Sequence, residues 1–167
     1  MSITADRFKQ GMRQLGASVC IITTRQADGA RAGLTATAVC SLSAEPASLL
    51  CCLNLASNSF AAIQRAGVFA VNVLSAADEA VARHFSTAPA AEKFARGEWT
   101  TLDTGAPVLA SALASFDCRL ERVVEAGSHA ILIGDVRDLQ IAADPGPALL
   151  YAQGLYGRFD APTQAAA

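Results

Sequence analysis

The chain has 167 residues, 52% hydrophobic and 17% charged, with a formal net charge of -2. A single domain of this length buries roughly two-thirds of the surface its unfolded chain exposes, so a core can form without disulfides or metals. The balanced charge argues against disorder and against a nucleic-acid partner, no apolar run approaches the ~20 residues of a membrane helix, and residues 1–10 lack a leader-like apolar core, so a soluble, cytoplasmic protein with no membrane association is expected.

In chain order, Ser2 or Thr4 can cap a first helix whose apolar residues Phe8, Met12 and Leu15 recur at helical spacing, with Gly16 as a stop. Residues 18–24 are dense in β-branched side chains, Ala27, Asp28 and Gly29 supply turn chemistry, and residues 33–43 again favour a strand, which predicts an antiparallel pair. After Glu45 and Pro46, the apolar run 48–55 reads as a strand buried on both faces. Ser57, Asn58 and Ser59 can cap a helix through Phe60 and Ile63 to Gly67, and a strand is predicted at 68–74. The pattern from Ser75 to Asp78 has the form of a capping box and opens a helix carrying Val81 and Phe85. Residues 86–110 read as a loop region with a short helix near 91–95. Beyond it, Phe116, Cys118 and Leu120 alternate with Asp117, Arg119 and Glu121, predicting a strand with the first set facing inward. Further strand character occupies 130–136, 139–142 and 148–151, Tyr156 falls in a final segment, and 160–167 read as a disordered tail. About six antiparallel strands with three peripheral helices predict a mainly β protein, a β-barrel rather than a doubly wound sheet. No GxGxxG or GxxxxGK[ST] is present to support nucleotide binding in a Rossmann or P-loop manner.

Residues 35–41 are the most informative segment, because hydroxyl residues alternate with very small ones along a strand. Small side chains let a ligand approach the backbone, whose N–H groups can bond a flat heteroaromatic ring while hydroxyls hold a sugar-alcohol chain or a phosphate. An edge strand with Thr chosen for β propensity fits the same pattern. Asn54, Ser57 and Ser59 stand at a helix N-terminus, suited either to an anion or to ordinary capping. Arg83 can complement the end of its helix or pair with a phosphate. His129, after Gly127 and Ser128, is presented by a turn either to hydrogen-bond a nicotinamide nucleotide or to bond a backbone carbonyl. Five cysteines (Cys20, Cys40, Cys51, Cys52, Cys118) with no CxxC pair, and only two histidines, predict reduced, mostly buried thiols and no metal site.

Five blocks occur in the order found in one family: residues 8–24, 33–54, 68–85, 116–136 and 147–156. Together they resemble the short-chain flavin reductases of the FMN-binding split-barrel fold. They are most similar to reductase components of two-component flavin-dependent monooxygenases of the 4-hydroxyphenylacetate type and to the flavin reductase of pyrimidine catabolism. The resemblance implies one antiparallel Greek-key domain over 1–159 that homodimerises, with flavin in a groove near the dimer interface. It also implies hydride transfer from NADH or NADPH to FMN, with FAD an alternative, and delivery of reduced flavin to a partner monooxygenase. Carried over by position, Thr35, Ala36, Thr37, Ala38, Cys40 and Ser41 would line the flavin ring and ribityl chain. Asn54, Ser57 and Ser59 would continue to the phosphate, and Arg83 and Phe85 would close that side. Catalytic His129 would contact the nicotinamide nucleotide, with Tyr156 nearby. This chain departs from relatives at Ala47, where they carry a second proline, at Ser128, where Asp or Thr is common, and at Gly157, often a histidine. A non-catalytic flavin-binding protein and a split-barrel oxidase of another substrate are the rival readings.

Overall fold

Thr4 caps the first helix, α1 (Ala5–Met12), by accepting from the Arg7 N–H at 3.3 Å. In this computed structural model, which describes residues 2–160, α1 buries none of its side chains. Phe8, Met12 and Leu15 have the expected helical spacing but face solvent. The helix is tied down just past its end, where Gln153 N–H donates to the Arg13 carbonyl at 2.8 Å. The expected tail, 160–167, lies outside the described residues except for Asp160.

A short strand β1 (Ala17–Ser18) leads into β2 (Cys20–Arg25), which turns at Asp28 and Gly29 into β3 (Arg31–Ala36). Asp28 Oδ1 accepts from the Ala30 N–H at 2.9 Å and Gly29 has φ +86°, so the turn chemistry is local. Then come β4 (Val39–Ala44) and β5 (Ala47–Asn54), joined through a cis Glu45–Pro46 peptide. Helix α2 (Asn58–Ala66) is capped by Ser57 and ends at Gly67 in the left-handed region, φ +68°. Strand β6 (Val68–Val73) follows. The capping box forms as Ser75 N–H donates to Asp78 Oδ2 at 3.0 Å, but what it opens first is a 3-10 turn (Ala76–Asp78), with helix α3 (Glu79–Thr87) after it.

Residues 86–110 hold more structure than a loop. A 3-10 turn (Lys93–Ala95) precedes a small hairpin of β7 (Trp99–Thr101) and β8 (Pro107–Leu109). Two 13-residue strands follow, β9 (Ala114–Ala126) and β10 (His129–Ile141), so the two segments expected at 130–136 and 139–142 are one strand with register shifts. The last described elements are a hairpin of β11 (Ala148–Ala152) and β12 (Leu155–Phe159).

Seven strands form one antiparallel sheet in the order β3-β2-β6-β9-β10-β5-β4, and β1-β11-β12 form a second. The two edge strands of the large sheet, β3 and β4, are consecutive in the chain, separated only by Thr37 and Ala38. Sheet twist brings the edges round to face one another, and the result is an antiparallel barrel split along a seam. Its interior is filled by Ile22, Leu53, Phe60, Ile63, Phe69 and Leu132, each contributing roughly 1.5–3 kcal/mol through burial. A second core between barrel and α3 holds Ile21, Leu74, Phe85, Phe94, Leu109 and Leu149.

Two burial expectations are corrected. Strand β5 buries Leu49, Cys51 and Leu53 while Ser48, Leu50, Cys52 and Asn54 lie on the more open face, because its sheet covers only one core. Asp117 points inward and is fully buried, since both the N–H and the hydroxyl of Thr104 donate to its carboxylate. No helix among the described residues is long and apolar enough to cross a membrane.

Candidate functional site

The seam determines where a ligand can reach main chain. Strand β3 pairs with β2 on one side, Thr35 opposite Ile21 and Ala36 opposite Cys20, and among the described residues has no strand partner on the other. An edge of this kind leaves N–H and C=O groups available. Beside it lies a groove of about 450 Å³ lined by Thr35, Ala36, Thr37, Arg83, Tyr151 and Tyr156, within the size range of small-molecule and cofactor sites.

Each wall has a local cause. Tyr151 and Tyr156 stand directly opposite in the β11–β12 hairpin, whose tight turn places Gln153 and Gly154 at positive φ. Their rings meet edge to face at 5.3 Å. The Arg83 guanidinium lies 4.5 Å over the Tyr156 ring and pairs with Glu79 one helical turn away, which fixes a cation at the groove's side. The Thr35 hydroxyl leans towards the Ala82 carbonyl of α3 at 3.5 Å. Past Arg83 and Tyr156 the groove runs into a cavity of about 550 Å³ lined also by His84, Ser86, Thr87 and Arg96; the Ser86 and Thr87 hydroxyls both donate to the Arg83 carbonyl at 2.9 Å, which leaves the Arg83 and Arg96 guanidiniums as the groups suited to a phosphate.

The residues singled out from sequence therefore divide. Thr35, Ala36, Thr37, Arg83 and Tyr156 converge on the groove. Ala38 lies in the link between the edges, its carbonyl accepting from Cys52 N–H at 3.0 Å, while Cys40 and Ser41 are exposed along β4. Asn54 and His129 are register partners on neighbouring strands, forming a rim with Ser57. Here Asn54 Oδ1 accepts from Ala56 N–H at 2.8 Å, Ser57 Oγ accepts from Ser59 N–H at 3.2 Å, and the Ser128 hydroxyl lies 2.9 Å from His129 Nδ1. The serine that replaces the commoner Asp or Thr thus still orients the imidazole.

Two assignments do not survive folding. Phe85 is fully buried, packing 5.1 Å from Phe94 and 5.6 Å from Trp99, and supports the groove from beneath instead of closing one side. Ser59 is buried and its hydroxyl is spent on the Gly33 carbonyl at 2.9 Å, out of reach of a phosphate. Tyr151 and Ser86 are groove residues that sequence reasoning passed over. A signal existed for Tyr151: two tyrosines flanking a Gln-Gly turn place both rings on one face of a hairpin. Burial holds the thiols of Cys20 and Cys118 inert by pushing each up to about 12, and that of Cys51 higher still. Among the described residues no group of three His, Cys, Asp or Glu is placed to hold a metal.

A split barrel whose seam exposes bare main chain beside an aromatic pair and a fixed cation defines a protein built to hold a flat ring carrying a phosphate. Over residues 12–160 the sequence matches the flavin reductase like domain. It is 45% identical over 152 residues to FMN reductase (NADH) RutF 2 of Methylorubrum extorquens, covering 90% of this chain and 87% of that protein. A match of 45% over 150 residues is found with FMN reductase (NADH) RutF of Agrobacterium fabrum, covering 89% and 85%. The flavin reductase PheA2 superposes with a TM-score of 0.86 at 30% identity, over 95% of this chain and all of that one. The chain belongs to the flavin reductase like domain family.

Proposed function

We propose that this protein is an NAD(P)H:flavin oxidoreductase that takes a hydride from a nicotinamide nucleotide and reduces FMN, with FAD the alternative acceptor. The groove over Thr35, Ala36 and Thr37, with Arg83 at its side, carries the reading. Its residues fit the group: open main chain and small side chains beside the ring, and Arg83 and Arg96 for the phosphate. Bound FMN supplies the two-electron acceptor that protein side chains lack. The chain itself binds, orients the ring against its partner and keeps water from the contact. NADH leads NADPH because the RutF relatives are named for NADH.

We assign the nicotinamide nucleotide to Tyr156, which lines the groove, and to His129 on the rim it shares with Asn54, positions that support this reading. Residues 1–159 act as one catalytic unit. Homodimerisation is favoured by the exposed apolar side chains of Phe8 and Met12 on α1 and of Leu15 just beyond it, which the monomer leaves uncovered. Reduced flavin then passes to a partner monooxygenase, as in the two-component systems from which structural relatives come, such as nitrilotriacetate monooxygenase component B. Cytoplasmic residence suits the five unpaired cysteines and the supply of reduced nicotinamide.

The test is titration with FMN and FAD followed by steady-state NADH oxidation, on the protein and on Ala36→Phe. Saturable flavin binding and turnover well above free flavin are expected, both abolished when the phenyl ring fills the groove. Binding without turnover would leave only a flavin carrier. Unchanged kinetics in Ala36→Phe would remove the groove from the reaction.

A further inference from the structure

At the end of β3 away from the groove, a cavity of about 230 Å³ opens beside the β2–β3 turn, lined by Arg25, Arg31, Trp99, Thr100 and Thr101. It shares no lining residue with the groove or with its Arg83–Arg96 end. Arg25 and Arg31 are register partners, so both side chains leave the same face of the hairpin, where like charges directly opposite repel. Among the described residues neither is in an ion pair. Asp28, the acid of the same turn, instead accepts from the Ala30 N–H at 2.9 Å. Each wall is held in place. The Arg31 guanidinium lies 4.6 Å over the Phe94 ring, and Arg25 Nη2 comes within 3.9 Å of where a Cβ on Gly29 would stand. The Trp99 indole is anchored by its Nε1–H, which donates to the Arg96 carbonyl at 2.8 Å.

Two guanidiniums brought together without a carboxylate call for a dianion, and the planar fork of each matches a phosphate bidentately. A phosphate monoester carries a charge of about -1.5 to -2 near neutral pH, twice that of a carboxylate. At about 230 Å³ the space falls below the roughly 300 Å³ where sites for whole cofactors begin, which excludes a flavin or a dinucleotide. We propose that this cavity is an accessory phosphate site, taking inorganic phosphate or the phosphoryl group of a small metabolite between Arg25 and Arg31. The Thr100 and Thr101 hydroxyls supply further donors and the indole one apolar wall. The proposal is independent of the flavin reading of the groove.

Trp99 is the only tryptophan of the chain, so its fluorescence reports on this wall. The titration is made on FMN-loaded protein, to occupy the Arg83–Arg96 end, with ionic strength held constant by chloride. Inorganic phosphate should change the fluorescence saturably, and Arg25→Gln/Arg31→Gln should raise its Kd about tenfold or more, while the Kd of FMN and NADH turnover stay put. Arg25→Lys/Arg31→Lys keeps both charges without the forks and should recover only part of the affinity. If the double Gln variant melts early, Arg25→Gln alone carries the test, because it leaves the Arg31–Phe94 contact in place. No response to phosphate, a response matched by chloride, or one retained in the Gln variants overturns the proposal. So does phosphate that acts only by displacing FMN, which would put the anion at Arg83 and Arg96. Tighter binding of phenyl phosphate identifies an organic monoester and equal affinity the free anion, and both support the shared site. Failure of FMN to bind with the phosphate response intact would strike the flavin reading alone.

Discussion

Lys93 donates from its ammonium to the main-chain carbonyl of Gly33 at 2.9 Å, and the same oxygen accepts from Ser59 Oγ. Two elements far apart in the chain thus pin β3 two residues before Thr35, where the groove begins. The Lys93 ammonium also lies 5.4 Å over the Phe85 ring, and burial lowers its pKa. Lys93→Met keeps the stem but deletes the donor. FMN affinity is expected to fall about three- to tenfold as the edge strand loosens, with about 1–2 kcal/mol of stability lost. Fluorescence titration and thermal melting check both, and an unchanged Kd would mean that Ser59 alone positions the strand.

His129 is exposed and among the described residues its imidazole is hydrogen-bonded only to Ser128, so removing it should leave the fold intact. His129→Ala is expected to weaken use of the nicotinamide nucleotide about tenfold in kcat/KM while FMN binds as before. Stopped-flow reduction of bound flavin measures the first quantity and titration the second. Equal rates would take His129 out of the site.

Gly134 sits at a register shift in β10, and a Cβ there would meet Phe69 Cζ at 2.5 Å and Cys118 Cβ at 3.0 Å. Phe69 is fully buried and has nowhere to retreat. Gly134→Ala should therefore destabilise by about 1–3 kcal/mol through overpacking, seen as a Tm lowered by several degrees. A melting curve superimposable on that of the unaltered protein would show that the barrel wall yields more readily than its packing implies.

Burial raises the Asp117 pKa above its ordinary value of 3.8, against the two bonds from Thr104 that favour the charged form. Between 3.8 and the raised value the folded protein holds this proton more firmly than the unfolded chain. The stability it contributes is therefore complete below 3.8 and lost as pH climbs through the folded pKa. Asp117→Asn cannot titrate, so its Tm relative to the unaltered protein should rise as pH increases from 4 and then level off. Parallel melting curves across that range would place the titration elsewhere.

Much of the local structure was legible in residues near one another in sequence. Thr4, Ser57 and the Ser75–Asp78 box each cap a helix where their spacing says, because a cap bonds N–H groups two or three residues away. The resemblance of five ordered blocks likewise carried the barrel and the family. The Thr35–Thr37 segment stood out in the sequence and lies along the groove, but the tyrosine pair that faces it did not stand out, since Tyr151 enters the groove only when β11 crosses to β1.

What the sequence determined alone was the helix caps at Thr4 and Ser57, the turn at Asp28 and Gly29 and most of the strands, all settled by contacts within a few residues, while the β7–β8 hairpin and the continuity of β10 were not. Tertiary structure decided which faces are covered. Phe85 and Asp117 went inward because Phe94, Trp99 and Thr104 met them there, and Phe8 stayed outside because α1 packs on no core. It also decided which edges remain unpaired. An open seam beside Ala36 exists only after seven strands have curled until the first and last face each other, and no window of the chain shorter than the barrel encodes that closure.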